Sequence, residues 1–156
     1  MSTPALFSTR AVAALLAVAA LASARAETPL ERGRYLARSI VACGNCHTPQ
    51  GPTGPLAGMD LAGGLQIDVP PMFTAFSANI TPHKTSGIGA WSDAQIIAAI
   101  REGKRPDGSL IGPPMPIELY RGLSDTDVRA LVAYLRSVPA VDNTPPKSVY
   151  KMPLPP

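Results

Sequence analysis

Apolar residues recur at helical spacing near both ends of the chain. In residues 28–41 the recurring positions are Leu30, Gly33, Leu36 or Ala37, and Ile40, which predict a first helix. In residues 124–138 the stripe is Val128, Leu131, Val132 and Leu135, at i, i+3, i+4 and i+7, which predicts a last helix. Glycine is unfavourable inside a helix, so Gly33 either admits a closely packed second helix or is tolerated near a frayed start.

Capping residues bound a third helix and the last one. Ser92 and Gln95 form a capping-box pattern, and Gly103 is the residue type that most often ends a helix. The stretch between Ser92 and Gly103 is therefore predicted to be a helix. Ser124 is an N-cap for the last helix, and Pro139 ends it. The sequence therefore predicts helices at the start, the middle and the end of the domain.

The stretch between the first and the middle helix is rich in residues that break regular structure. The chain has 13 glycines and 18 prolines, and those after residue 48 predict no long regular structure until about residue 90. Apolar side chains interrupt this stretch and need a surface to cover. They are Leu61, Leu65, Ile67, Val69, Met72, Phe73 and Phe76. An irregular wrap around an apolar cofactor accounts for both features.

One motif identifies that cofactor. Cys43-Gly44-Asn45-Cys46-His47 is the attachment pattern of a covalent c-type haem. Residues i and i+3 project from one helix face, so both thiols reach the same porphyrin edge. His47 follows as the proximal iron ligand. For its second ring N–H we expect a backbone carbonyl at Pro52 or Pro55 as the acceptor.

Two other uses of a Cys-x-x-Cys pair fit the sequence less well. Zinc would need two further ligands, but the chain has no third cysteine and its one other histidine is His83. A dithiol redox pair would leave His47 without a role and would require a parallel βαβ surround. With haem, both Cys43 and Cys46 become thioethers and no disulfide remains.

The distal iron ligand is predicted from the methionines. Met115 lies between Pro114 and Pro116, which hold it in a fixed direction on a loop, and is the predicted distal ligand. Met72 is its competitor, with gap-filling beside the porphyrin as the alternative role. The remaining candidates are Met59, close to His47 in sequence, Met152, in a proline-rich tail, and His83, interpreted as a solvated loop residue.

The amino terminus is typical of a secretory signal peptide over residues 1–26. Arg10 precedes an apolar run, and Ala24-Arg25-Ala26 supplies a small-residue cleavage site. The run is shorter than the roughly 20 residues of a spanning helix, so we expect a periplasmic protein that meets a membrane only through a partner. One domain is expected over 27–140 of the 156 residues, followed by a Pro-rich C-terminal extension at 141–156. The net charge of +3 falls towards zero without the leader, which argues against a nucleic-acid partner.

Together these residues resemble a class I c-type cytochrome. The resemblance rests on Gly33 and Tyr35 before the Cys-x-x-Cys-His motif, on the Met-Pro loop at Met115, and on Leu131-x-x-Tyr134-Leu135. It implies an all-α fold, a single small cytochrome c domain with about three to five helices and irregular loops around one covalent haem. Residues 79–82, 85–92 and 114–116 are similar to the cytochrome c subunits that accept electrons from exported alcohol, sugar-acid or molybdenum-containing dehydrogenases.

With His47 and Met115 both on iron, no coordination position is open to a substrate, so the sequence predicts an electron-transfer protein rather than an enzyme. A periplasmic dehydrogenase is the expected electron donor, and a cytochrome or terminal oxidase the expected acceptor, with this chain as a free carrier or as a subunit of a dehydrogenase complex. The alternative is a haem enzyme or gas sensor with an open sixth iron site.

Overall fold

The computed structural model describes residues 26–154 and contains the three predicted helices together with two short ones. The helices are α1 (Pro29–Tyr35), α2 (Gly44–His47), α3 (Asp93–Glu102), α4 (Ile117–Tyr120) and α5 (Asp125–Ser137). Apart from Ala26, the predicted signal peptide lies outside the described residues. None of the helices in the described range is long and apolar enough to cross a membrane.

The predicted caps are confirmed. The Ser92 side chain accepts from the backbone N–H of Gln95, and the Gln95 side chain accepts from the backbone N–H of Ser92, which completes the capping box of α3. Gly103 closes that helix with a φ of 67°, a left-handed conformation that glycine adopts without strain. Ser124 caps α5 by accepting from the N–H of Asp127. Local sequence signals thus decide where these helices begin and end.

The first helix ends in a wider turn than the sequence predicts. A π-helical turn, Leu36–Ile40, follows α1, and the N–H of Val41 donates to the carbonyl of Leu36 at 2.8 Å. The extra residue in this turn rotates the later side chains away from the α-helical stripe. Ile40, predicted on the inward face, is therefore 61% exposed, whereas Leu36 and Ala37 are buried.

Helices α1 and α5 pack with their backbones in contact at Gly33. A Cβ atom at this position would lie 1.9 Å from the carbonyl oxygen of Ala130, so only glycine permits the approach. Of the two explanations that the sequence left open for Gly33, the structure therefore supports the close packing of a second helix. On α5 the predicted apolar stripe is buried in full, at Val128, Leu131, Val132 and Leu135.

The predicted all-α fold is wrong, because the chain between α2 and α3 forms strands. A hairpin pairs β1 (Gln50–Gly51) with β2 (Gly54–Pro55). A second, three-stranded antiparallel sheet contains β3 (Gln66–Val69), β4 (Phe73–Phe76) and β5 (Val149–Tyr150) in that order. The strands are too short to show a pattern among so many glycines and prolines, and β5 comes from a distant part of the chain. The domain is mixed helix and sheet.

Candidate haem site

The Cys-x-x-Cys-His motif is placed by the turn that follows α1. The N–H of Cys43 donates to the carbonyl of Ala37 at 2.9 Å, which continues the wide hydrogen bonding of the π-helical turn. Ala42 has a φ of 51°, in the left-handed region that few residues other than glycine adopt. The chain therefore changes direction sharply at Ala42 and begins α2, on which Cys46 and His47 lie.

A cavity of about 800 Å³ is lined by all four predicted site residues: Cys43, Cys46, His47 and Met115. This volume lies within the range of about 300 to 1,000 Å³ that is usual for cofactor sites. Most of its remaining walls are apolar. They include Ile80, Ile88 and Trp91 before α3, Ile96 and Ile100 on α3, and Leu131 and Leu135 on α5. Helices α2, α3, α4 and α5 and several loops thus line one largely apolar chamber.

His47 is oriented by a backbone carbonyl, although not by the predicted one. Its Nδ1 lies 2.7 Å from the carbonyl oxygen of Ala78. The prediction of an acceptor at Pro52 or Pro55 is therefore wrong. A carbonyl oxygen accepts only, so the proton is on Nδ1 and Nε2 keeps its lone pair. Burial lowers the pKa of His47, against the opposing effect of the hydrogen bond to Ala78, which favours the neutral ring that binds a metal.

Gly63 connects the two backbone segments that hold His47. Its N–H donates to the carbonyl of His47 at 2.7 Å. Its φ is +75°, and a Cβ atom there would lie 2.4 Å from the carbonyl carbon of Ala78. Ala78, whose oxygen accepts from the imidazole, is thus held against the same residue that holds the His47 backbone. The contact needs both the positive φ and the missing side chain of glycine.

An ion pair supports the helix that carries the motif. The guanidinium of Arg38 donates to the carboxylate of Asp60 and, at 2.6 Å, to the hydroxyl of Tyr134 on α5. The hydroxyl of Thr48, directly after α2, donates to Asp60 at 3.2 Å and accepts from the N–H of Leu61 at 3.0 Å. The hydrogen bond from Arg38 is the main cause that lowers the pKa of Asp60.

Among the candidate distal ligands, Met115 is placed at the cavity. Its half-buried side chain lines the chamber, and its carbonyl accepts from the N–H of Ile117 at 2.9 Å, at the start of α4. Met72 is 44% exposed and is not part of the lining. Neither are the remaining candidates, which are Met59, Met152 and His83. His83 instead has its Nδ1 within 2.7 Å of the hydroxyl of Ser86 in its own loop.

The chemistry of these groups fits a haem and does not fit the two other uses of the motif. Burial raises the pKa of the Cys43 thiol to about 11, so the thiol is not poised as a nucleophilic thiolate. Within residues 26–154 no three His, Cys, Asp or Glu side chains come together to hold a metal ion. Two thiols, a neutral imidazole and a thioether around an apolar chamber are the donor set that a haem attached through thioethers requires.

Two parts of the cavity wall were not predicted from the sequence. Tyr120 lines the chamber and donates its hydroxyl to the carbonyl of Val41 at 3.0 Å, and burial raises its pKa to about 12. The proline-rich segment near the C-terminus lines it as well, through residues 144–148 and Tyr150. The one available signal was Val149-Tyr150, a pair with strand-forming preference inside a proline-rich stretch.

A helix pair crossing at a glycine, a Cys-x-x-Cys-His helix and a methionine loop around one apolar cavity define a c-type cytochrome domain. The family model described as "Cytochrome C oxidase, cbb3-type, subunit III" matches residues 28–135, and the chain belongs to this family. The predicted resemblance to c-type cytochromes is thus confirmed, and with it haem binding and electron transport.

Several relatives of the chain are named as subunits of dehydrogenases. The chain is 40% identical over 124 residues to a nicotinate dehydrogenase subunit of Pseudomonas putida, covering 80% of this chain and 10% of that protein. It is 41% identical over 125 residues to the fructose dehydrogenase cytochrome subunit of Gluconobacter japonicus, covering 80% and 24%. With the gluconate 2-dehydrogenase cytochrome c subunit of Pantoea cypripedii it is 42% identical over 120 residues, covering 76% and 25%. The chain spans a quarter or less of the length of these relatives.

Proposed function

We propose that this chain is an exported cytochrome c with one covalent haem, attached through Cys43 and Cys46, and with His47 and Met115 as the axial iron ligands. The observation that carries the proposal is that these four side chains line one apolar cavity. The sequence contains two cysteines, which suffice for one such attachment. Residues 27–140 constitute the haem domain, and 141–156 are an extension of it.

The bound haem supplies a single-electron couple between ferric and ferrous iron, with a potential that methionine ligation raises. The residues of this chain decide how that couple is used. Ala78 keeps the proton of His47 on Nδ1, which leaves Nε2 for the iron. Met115 would supply the second iron ligand from the cavity wall, so that no coordination position would be left for a substrate, and most of the lining around it is apolar. Such a site transfers electrons without bond chemistry.

The electron donor in this proposal is a dehydrogenase, because the relatives named above are subunits of such enzymes and two of them are cytochrome subunits. The acceptor is another cytochrome or a terminal oxidase. The signal peptide predicted over residues 1–26 supports a periplasmic location, and membrane association occurs through the partner. Interfaces of this kind are small and transient when the cytochrome acts as a free carrier.

The experiment that tests the axial assignment compares Met115→Ala with Met72→Ala in the oxidised holoprotein. We expect the Met115→Ala protein to lose the sulfur-to-iron charge-transfer band and the Met72→Ala protein to retain it, because Met72 is outside the cavity lining. If the Met115→Ala protein keeps the band, the assignment is wrong. Ready binding of carbon monoxide by the wild-type ferrous protein would instead favour a haem enzyme or gas sensor with an open sixth site.

A further inference from the structure

Hydrogen bonds from polar side chains hold the C-terminal strap, residues 141–154, against the rest of the domain. Asn79, which is 3% exposed, donates from its side-chain amide to the carbonyls of Val141 at 2.8 Å and Asn143 at 3.0 Å. Asn143 in turn donates to the carbonyl of Ala62 at 2.9 Å. The strap therefore begins beside the segment that holds His47.

The middle and the end of the strap follow the cavity to the sheet. Residues 144–148 line the cavity, and the hydroxyl of Ser148 accepts from the N–H of Phe76 at 2.9 Å. Strand β5 then pairs with β4, and the N–H of Lys151 donates to the carbonyl of Met72 at 2.9 Å. The strap is thus part of the cavity wall rather than a free tail.

Tyr150 joins the strap to the loop that carries Met115. Its hydroxyl donates to the carbonyl of Pro113 at 3.0 Å. Its ring packs on buried Gly112, where a Cβ atom would lie 2.7 Å from the ring carbon Cζ. The neighbouring strand contributes Phe73, whose ring centre is 5.6 Å from that of Tyr150. One side chain therefore contacts the two residues that precede Pro114 and Met115.

Few hydrogen bonds hold the start of the methionine loop, residues 112–116. Pro113, Pro114 and Pro116 have no backbone N–H, so they donate no hydrogen bond. Within residues 26–154, the bond from Tyr150 is the one hydrogen bond that connects 112–114 to another part of the chain. The chain after Met115 is held by α4, to which the Met115 carbonyl is bonded, whereas the chain before it depends on a contact made from outside the loop.

We propose that Tyr150 is a positioning residue for Met115, and that the C-terminal strap sets how firmly the thioether stays on the iron. The inference rests on the proposed function, in which Met115 is the distal ligand. Without the Tyr150 hydroxyl, the loop moves away from the cavity more readily, and a small ligand from solution takes the sixth position more easily. The strap thereby keeps the site closed to other ligands.

Imidazole binding to the oxidised holoprotein tests this role, because imidazole displaces an axial methionine and the exchange is followed optically. For Tyr150→Phe, which keeps the ring and its packing on Phe73, we expect imidazole affinity to rise about fivefold, the effect of losing one hydrogen bond. Gly112→Ala, which displaces the Tyr150 ring, raises the affinity at least as much. Tyr35→Phe is the matched control, since Tyr35 is 48% exposed on α1, and it leaves the affinity unchanged.

The outcomes separate this inference from the proposed function. A wild-type protein without the sulfur-to-iron band contradicts the axial assignment itself. A wild-type protein with the band, together with Tyr150→Phe and Gly112→Ala proteins whose imidazole affinity stays within about twofold of it, overturns only the role of Tyr150. A purely structural role would lower the urea midpoint of Tyr150→Phe and leave imidazole affinity unchanged, which also overturns the inference.

Discussion

The helix pair, α1 with α5, and the backbone cradle, residues 48–80, both support the haem cavity, but different forces hold them. The helix pair is held by buried apolar side chains and by the backbone contact between Gly33 and Ala130. The backbone cradle is held by hydrogen bonds between distant backbone groups, from Gly64 to Ser77 at 2.8 Å and from Ile80 to Leu61 at 3.0 Å. Close side-chain and backbone packing distinguishes the first region, and long-range backbone pairing distinguishes the second.

Because they are built differently, the two regions make different contributions to the haem site. The helix pair supplies a rigid apolar wall through Leu131 and Leu135. The backbone cradle supplies the polar contact on which ligation depends, the carbonyl of Ala78 at the imidazole of His47. Loss of packing should therefore reduce the stability of the whole domain, whereas loss of the cradle should also change the electronic properties of the iron site.

The largest effect is expected where the helix pair has no room to adjust. In Gly33→Ala the new methyl group would lie 1.9 Å from the Ala130 carbonyl oxygen, so the helices must separate along their whole contact. We expect the free energy of unfolding to fall by about 3 kcal/mol, the upper part of the range for overpacking. Urea unfolding of the holoprotein measures it.

The control for this substitution is Arg34→Ala, one residue further along the same helix. Arg34 is exposed, and truncation of an exposed side chain changes stability by about 0.5 kcal/mol or less. Equal losses for the two variants would show that the close approach at Gly33 carries no special weight in the stability of the helix pair.

The helix pair was predictable from sequence because its signals are local. The stripe at Val128, Leu131, Val132 and Leu135, and the cap at Ser124, depend on residues a few positions apart. Ile40 was wrongly predicted to face inward, because the spacing of apolar residues does not predict a π-helical turn. The strands escaped prediction because they are short and lie among glycines and prolines, and because one pairing, that of Phe73 with Tyr150, joins segments far apart in the chain.

The site residues also divide into those with a local sequence signal and those placed by contacts between distant segments. The motif at Cys43, Cys46 and His47 and the proline-flanked Met115 were recognisable by residue type. The acceptor for His47 was not, because any residue can present a carbonyl oxygen and the choice of Ala78 depends on how Gly63 and Gly64 pair with the chain near Ser77. Tyr150 was not, since its contact with Pro113 joins segments that are far apart in sequence.

A smaller loss of stability, but a larger change at the iron, is expected at Gly63 in the backbone cradle. In Gly63→Ala the methyl group meets the Ala78 backbone and the φ of +75° becomes unfavourable. We expect about 2 kcal/mol of destabilisation, together with a shifted midpoint potential because His47 loses its fixed orientation. Redox titration and urea unfolding measure the two effects.

Gly58→Ala separates conformational strain from contact. Gly58 also has a positive φ, of +74°, but a Cβ atom there would have no neighbour within 4 Å. This control should cost about 1 kcal/mol and leave the midpoint potential unchanged. If both variants shift the potential equally, the contact between Gly63 and Ala78 does not control His47.

The smallest effect is expected at the ion pair that joins the two regions, Arg38 with Asp60. Arg38 lowers the pKa of Asp60 in the folded protein, so the unfolded chain binds a proton more readily at this carboxyl. The resulting stabilisation is present above the unfolded-state pKa of about 4 and is lost as the pH falls through the lower folded value. Asp60→Asn should therefore destabilise at pH about 6, and its gap to the wild type should be smaller near pH 3, below the unfolded-state pKa.

The size of this effect is limited by solvent, because the side chains of Arg38 and Asp60 are 40% and 44% exposed. After screening we expect a difference of about 1 kcal/mol or less at pH 6, measured by urea unfolding of the holoprotein at both pH values. Asp68→Asn, an exposed carboxyl in β3 outside this network, controls for the change in net charge. A gap between Asp60→Asn and wild type that stays constant with pH would mean that the hydrogen bond from Thr48, rather than the charge of Asp60, accounts for the stabilisation at this carboxyl.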